Sequence, residues 1–282
     1  MSGILYLCGT PIGNLGDITL RVLEILKSVD LIAAEDTRNT LKLLNHFDIK
    51  VPLTSYFEHN KSQKGEEILK ALQSGKNVAL VTDAGMPVIS DPGEDLVRLC
   101  IESGIEIVTA CGPTAFTTAL VSSGISGRRF AFEGFLPVSK KERRKILDEV
   151  KNDTRTLIFY EAPHRLISTL SDMLEALGDR KIAVCRELTK KFEEIYRSDI
   201  SGAVKHFKEN PPKGEFVLVI EGKSPEKLLE EEREGMPPPE ELLKTLASDT
   251  LYGKDLVRAV AEKLKMPKRE VYDIYLKMEK KL

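Results

Sequence analysis

The stretch Val78–Gly93, VALVTDAGMPVISDPG, decides how the chain reads. Val78–Val81 is a short apolar run, the pattern of a strand buried on both faces. The run stops at Thr82 and Asp83, and Gly85, Pro87, Pro92 and Gly93 then bend the chain. Asp91 is placed to cap a helix, with Pro92 as its first residue and Glu94 closing a capping box. A buried strand thus ends in an acidic, glycine-bearing loop from which a helix leaves. In open α/β sheets, ligands bind in the crevice beyond the carboxyl ends of the strands. Taken alone, the stretch reads equally as an ordinary strand–loop–helix turn; its weight comes from repetition.

On either side of it the same pattern recurs. Ile4–Cys8 is a strand entering Gly9–Asp17, GTPIGNLGD, whose glycine spacing is not that of a dinucleotide fingerprint. A helix over Leu20–Ser28 follows, then a strand Leu31–Ala34 ending in Glu35-Asp36-Thr37-Arg38. A helix to Phe47, a strand Val51–Tyr56 and a helix Gln63–Ser74 lead into the opening stretch. After it come a helix from Pro92 to Ser103, a strand Ile105–Ala110, the turn Cys111-Gly112-Pro113-Thr114-Ala115 and a small-residue helix to Ser122. Alternating strands and helices predict one doubly wound α/β domain over residues 1–122. Residues 123–222 carry more strands than helices, including Phe130–Phe135, Thr156–Tyr160, Lys181–Cys185, Glu194–Arg197 and Phe216–Ile220. They predict an α+β domain with a mixed sheet, and Ser139 with Glu142 predicts a capping box for a basic helix Lys140–Val150.

Residues 223–249 hold eight acidic and four basic side chains and the run Pro237-Pro238-Pro239, which reads as an acidic, partly helical linker. Residues 250–282 hold nine basic and five acidic side chains. They read as two helices split at Met266-Pro267, with Val271, Ile274, Tyr275 and Met278 on one stripe. This helical module is either helix-turn-helix-like or a tail packed on its own protein or on a second copy.

The 282 residues suffice for two medium domains, and 41% apolar with 30% charged residues describes a soluble globular chain. The net charge of −2 provides no global attraction to nucleic acid or anionic lipid, so any such attraction is local. No run approaches the roughly 18 apolar residues of a membrane span, and MSGILYLCGT lacks the basic start of a secretory signal. Cys8, Cys100, Cys111 and Cys185 lie far apart and read as free thiols of a reducing compartment. The expectation is a cytoplasmic protein. No Cys-x-x-Cys pair or zinc-like histidine spacing is present, so no metal site is expected. Gly222-Lys223-Ser224 ends like a phosphate loop, but Val217 stands where that loop needs glycine. No Gly-x-Ser-x-Gly elbow supports a serine hydrolase. What is left is a set of bent strand ends lining a cleft.

Eight of these stretches, in order, are GTPIGNLGDIT (9–19), AAEDTR (33–38), TDAGMPVISDPG (82–93), CGPTA (111–115), FEGFLP (132–137), FYEAPHR (159–165), CRELTK (185–190) and GEFVLVIEG (214–222). Together they resemble the family of small-subunit (16S) ribosomal RNA cytidine 2′-O-ribose methyltransferases, within the tetrapyrrole methylase superfamily. The resemblance spans about residues 4–222. It implies a tetrapyrrole-methylase-like fold and a homodimer that takes S-adenosyl-L-methionine as methyl donor and needs no metal. The implied acceptor is the ribose of a cytidine in the decoding region, in free ribosomal RNA or the assembled small subunit.

The chemistry asks for a donor and an acceptor held about 3–3.5 Å apart and in line. Ala84, Gly85, Met86 and Pro87 permit close backbone approach to the donor's methionine part, and Asp83 is placed to accept from its ammonium or to shape the loop. The resemblance carries donor contacts to Thr114, Ala115, Tyr160, Arg186 and Phe216, with Pro11 bordering the cleft. A ribose hydroxyl is a weak acid, so a base or an electrostatic helper is expected among Glu35, Asp36, Glu161, Glu187 and Lys190. Glu187 and Lys190 are assigned nearest the acceptor, with Arg38 steering a phosphate; Asp36–Arg38 and Arg186–Glu187 read equally as structural ion pairs. Basic stretches at Arg128-Arg129, Lys140–Lys145, Lys190-Lys191 and in the tail are the RNA-binding candidates. Two rival readings are a tetrapyrrole C-methylase and a non-catalytic RNA or ribosome-assembly binder that keeps the fold.

Overall fold

A computed structural model describes residues 2–233, 236–247 and 251–279. The first sheet is built from β1 (Ile4–Cys8), β2 (Leu31–Ala34), β3 (Leu53–Ser55), β4 (Val78–Val81) and β5 (Glu106–Ala110), in the order β3-β2-β4-β1-β5. All its pairings are parallel. Its crossovers are α1 (Leu20–Ser28), α2 (Thr37–His46), α3 (Lys61–Gln73) and α4 (Glu94–Glu102). Every residue of β4 is buried, as its unbroken apolar run requires of a central parallel strand. One core layer gathers Val22, Leu26 and Leu44 from α1 and α2. The other gathers Ile68, Leu72 and Leu96 from α3 and α4.

After α5 (Ala115–Ser123) come β6 (Phe130–Phe135), α6 (Lys140–Val150), β7 (Thr156–Glu161), α7 (Leu166–Leu177), β8 (Lys181–Arg186), β9 (Glu194–Asp199), α8 (Ile200–Glu209) and β10 (Phe216–Ile220). The second sheet runs β6-β7-β10-β8-β9, parallel only between β6 and β7. It is therefore mixed. Helix α5 lays Ala119 and Leu120 against Ile158, Ala183 and Val219 of this sheet, and Ile12 of the first loop joins the same core. Residues Met1–Gly222 accordingly cluster as one compact unit holding both sheets.

Residues 223–282 form a second unit. Where a linker is expected, the chain forms α9 (Pro225–Arg233) and α10 (Pro239–Leu246). Leu242 and Leu243 of α10 enter one core with Leu256, Val257 and Val260 of α11 (Gly253–Lys263) and Val271 of α12 (Lys268–Glu279). The amphipathic stripe of α10 explains this, because its leucines need a partner surface. The boundary expected at 249/250 lies outside the described residues.

Two expected caps are absent. Helix α4 begins at Glu94 with Gly93 as its N-cap, so Asp91 and Pro92 stay in the loop. Gly93 stands at φ +148°, and a Cβ there would lie 2.8 Å from Val88. The loop is held by glycine geometry, which frees the Asp91 side chain. At Ser139, α6 starts where expected but without a side-chain capping bond. Arg143 of that basic helix is buried against Asp172, with Nε donating at 2.8 Å, so it offers RNA nothing.

The strand tips meet backbone to backbone. A Cβ on Gly9 would lie 2.6 Å from Gly112 Cα and 2.7 Å from Met86 Sδ. Gly9→Ala should therefore cost about 1–3 kcal/mol in denaturant unfolding, and an unchanged midpoint would show that these tips are not in contact.

Candidate active site

β1 and β4 are neighbours, yet β1 leads across β4 to β2 while β4 leads the opposite way, across β1 to β5. This reversal opens a crevice at their carboxyl ends. Two backbone bonds bridge it: Thr10 N–H donates to Gly85 O at 2.8 Å and Gly85 N–H to Thr10 O at 3.1 Å. The Thr10 hydroxyl donates to Thr82 O at 3.0 Å. Beyond the bridge, the 83–93 loop runs through several left-handed residues, with Gly85 at φ +90°, Val88 at +78° and Ser90 at +64°. A β-branched residue rarely adopts that conformation, and such strain, about 1–3 kcal/mol per residue, persists only where packing enforces it.

A cavity of about 360 Å³ lies against this loop, within the size range of small-molecule sites. Tips of both sheets line it. Of the expected donor residues, Asp83, Ala84, Gly85, Met86, Thr114, Ala115, Tyr160 and Phe216 are on its wall, as is Lys190. Tyr160 is fixed edge-on against Phe132 and Phe135. Pro87 is buried behind the loop and not on the wall. Pro11 instead lines a second cavity of about 200 Å³, which it shares with Asn39, Lys42 and Asp83.

The larger cavity has an acidic corner and a corner where a lysine is held between two carboxylates. At the acidic corner the Thr82 hydroxyl donates to Glu35 at 2.7 Å, and Asn39 Nδ2 donates to Asp83 at 2.9 Å. Asp91 joins them: burial, then the nearby Glu35 and Asp83 charges, push its carboxyl up to about 6. Among the described residues, no group of His, Cys, Asp and Glu has the arrangement to hold a metal ion. At the ion-paired corner Lys190 Nζ lies 2.9 Å from Glu187 Oε1 and 3.0 Å from Glu215 Oε2. Burial pulls the Lys190 pKa down, but the two carboxylates outweigh it and hold the ammonium charged. Burial likewise works against the Glu187 charge, and Lys190 and the Glu215 N–H hold that carboxyl below its usual range.

Besides Pro11 and Pro87, three more expected residues, Glu187, Arg186 and Arg38, lie off the larger cavity's wall. Glu187, at φ +50°, turns its carboxylate to Lys190 and to Glu215 N–H at 3.0 Å. Gly214 makes room for it, since a Cβ there would sit 2.6 Å from the Glu187 side chain. Arg186 bonds Lys213 O at 2.8 Å and Glu194 at 3.2 Å, not Glu187. Arg38 pairs with Asp36 at 2.7 Å, and Asp36 also caps α2 through Arg38 N–H. Glu161 is buried and spent on Ala162 N–H, Arg165 and Thr169.

Sequence reasoning missed Ile12, Ser90 and Glu215 on the wall, and read Asp91 as a cap. Glu215 carried a usable signal: it precedes Phe216 at the start of β10, which is antiparallel to β7 and β8. Its amino end therefore opens beside their carboxyl ends.

Residues 4–203 match the family model described as Tetrapyrrole (Corrin/Porphyrin) Methylases. Ribosomal RNA small subunit methyltransferase I of Synechocystis sp. is 48% identical over 278 residues, covering 98% of this chain and 99% of that protein. The protein of the same name from Thermotoga maritima is 51% identical over 221 residues, which are 78% of this chain and 99% of that one. A crystal structure of diphthine synthase superposes with a TM-score of 0.61 at 14% identity, over 79% of this chain and 91% of that one. It supports the fold alone.

Asp91 gives a test of the acidic corner. In the native protein its carboxyl keeps a proton up to about pH 6, against an ordinary 3.8. Between those values the native state binds more protons than the unfolded chain, so stability falls as pH rises and stays lowered above 6. Discounted for its partial exposure, the cost is about 1 kcal/mol. Asp91→Asn should unfold at higher denaturant than the parent at pH 7.5, with the gap closing below pH 4.

Proposed function

The chain belongs to the tetrapyrrole (corrin/porphyrin) methylase family, and from that premise we propose that it methylates small-subunit ribosomal RNA with S-adenosyl-L-methionine as donor. The acceptor in this reading is the 2′-oxygen of a cytidine ribose in the decoding region. Support for the RNA acceptor comes from relatives near half identity across almost the whole chain. A macrocyclic acceptor has no comparable support, and neither has a non-catalytic role.

The observation that carries the donor assignment is the polarity of the larger cavity. When bound, the donor supplies a methyl group on a positively charged sulfur and also bears an ammonium and a carboxylate. Glu35 and Asp91 put negative charge at one corner to receive the cations, and Asp83 shapes the loop beside them. Ala84 and Met86 offer backbone groups, and Gly85 at φ +90° lets the chain approach closely. Thr114, Ala115, Tyr160 and Phe216 form the remaining wall. Lys190 cannot serve as a base while two carboxylates hold it charged. Its role in this reading is to steady negative charge on the acceptor oxygen, and Glu187 positions it. Arg38 and exposed cations at Arg128, Arg129, Lys141, Lys191, Lys268 and Arg269 draw in the RNA backbone.

The protein in this reading works as a homodimer in the bacterial cytoplasm. Exposed Val121 and Leu20, at 83% and 79%, are apolar surface for a second copy to cover. Among the described residues, no helix is long and apolar enough to cross a membrane.

The test is transfer of radiolabelled methyl to ribosomal RNA and to small subunits from cells lacking the modification, with the product mapped by ribose-protection chemistry. Label on a cytidine 2′-oxygen supports the reading, and label on a macrocycle alone overturns it. Lys190→Ala should slow single-turnover transfer about 100-fold at saturating RNA, and Glu187→Gln less. RNA affinity should fall steeply with salt, with a log–log slope near −0.7 per single-strand phosphate contact.

A further inference from the structure

The second cavity has no part in holding the donor, yet it is built against the donor's wall. It is lined by Pro11 and Leu15 of the first loop, by Asn39, Lys42 and Leu43 of α2, and by Asp83. Asp83 is common to the two cavities. At about 200 Å³ the space falls below the roughly 300 Å³ at which whole small-molecule sites begin. It suits one unit of a longer ligand whose remainder lies outside. Its polar side is a relay: Lys42 Nζ donates to Asn39 Oδ1 at 3.3 Å, and Asn39 Nδ2 donates to Asp83 Oδ2 at 2.9 Å. Lys42 and Asn39 are exposed at the rim, and Arg38 stands one turn before Lys42 on α2. Leu15 and Leu43 supply the apolar part of the wall.

The geometry points to this second cavity as the subsite for the acceptor ribose, with Lys42 on the adjoining backbone phosphate and Asp83 as the group that takes the hydroxyl proton. The inference rests on the donor occupying the larger cavity. A sugar entering from the Lys42 rim reaches the donor at the wall where Asp83 stands. Asn39 spends its amide on the outer Asp83 oxygen and so fixes the carboxylate's orientation. In the transfer step the ribose O–H bond breaks and its proton passes to Asp83. The freed oxygen pair forms the O–CH3 bond, and the C–S bonding pair remains on sulfur, which becomes a neutral thioether. Charge balances: one carboxylate and one sulfonium become one carboxylic acid and one thioether. The cationic rim and the anionic wall match the ligand in order, with phosphate outside and hydroxyl inside. Arg38 is the weaker phosphate contact, because Asp36 already pairs with it.

The experiment measures methyl transfer to small subunits from cells lacking the modification, together with calorimetric binding of S-adenosyl-L-methionine, on the full chain. Lys42→Ala should raise the KM for subunits about tenfold, with kcat and donor Kd unchanged. Asp83→Asn should lower kcat at least about 100-fold, with the KM for subunits within about twofold and the donor still bound. A denaturant midpoint close to the parent's shows that each variant is folded. An unchanged KM in Lys42→Ala, or an unchanged kcat in Asp83→Asn, overturns the subsite. So does loss of donor binding in a folded Asp83→Asn variant, which assigns Asp83 to the donor alone. Failure of the parent protein to bind donor overturns the reading of the larger cavity instead.

Discussion

Everything in the catalytic unit depends on how closely three strand tips approach one another. Thr10 and Gly85 exchange two backbone bonds across the crevice, and Gly9 meets Gly112 with no side chain between them. Parallel strands do not end this way by default, because their connections diverge to opposite faces of the sheet. Here the loops after β1, β4 and β5 are fastened together before they diverge. The fastening sets the floor of the larger cavity and forces the next residues, Val88 and Ser90 among them, into left-handed conformations. Packing against the second sheet then closes the site from the other side. Gly13 lets the first loop press on Lys190, whose Cγ would lie 2.4 Å from a Cβ there.

That closure explains the electrostatics. With the loop tips fastened, Glu35, Asp83 and Asp91 are confined to one corner, and the raised Asp91 pKa records the cost. A protein selected for stability alone would not keep three carboxylates together there. A cationic ligand relieves the repulsion, so stability given up in the free protein returns as binding. Lys190 is the opposite case. Its charge is fully satisfied by Glu187 and Glu215, so it gives the wall a fixed field without needing a ligand to complete it.

Much of this was legible in the sequence. The buried run Val78–Val81 gives the strand, the glycine and proline bends give the loop, and eight ordered stretches give the family. Strands β1, β2, β4, β6 and β10 fall on the residues that periodicity indicates. The failures share one physical cause. Asp91 and Ser139 have the spacing of caps, but cap geometry depends on the local φ and ψ, which Gly93 supplies at α4 instead. Arg186 and Glu187 are adjacent in sequence, and alternation along a strand end sends them to different partners. Asn39 matters only through a residue 44 positions away, and no local pattern reveals such a contact. Arg143 looked like solvent-facing charge, and the Asp172 carboxylate that buries it lies on another helix.

The division of the chain carries the last step. Both cavities are lined by residues between Thr10 and Val217, inside the unit that ends at Gly222. The 223–282 unit has its own core, built mainly of leucines and valines. The Thermotoga relative is accounted for by 221 matched residues, close to the size of the first unit. The proposed chemistry therefore draws on residues of the first unit. The exposed Lys254, Lys263, Lys268 and Arg269 of the second unit sit on a framework with its own core. Such a surface can tune how tightly a large polyanion is held without moving the atoms that react, because ionic attraction acts over about a Debye length while methyl transfer needs alignment within a few tenths of an ångström.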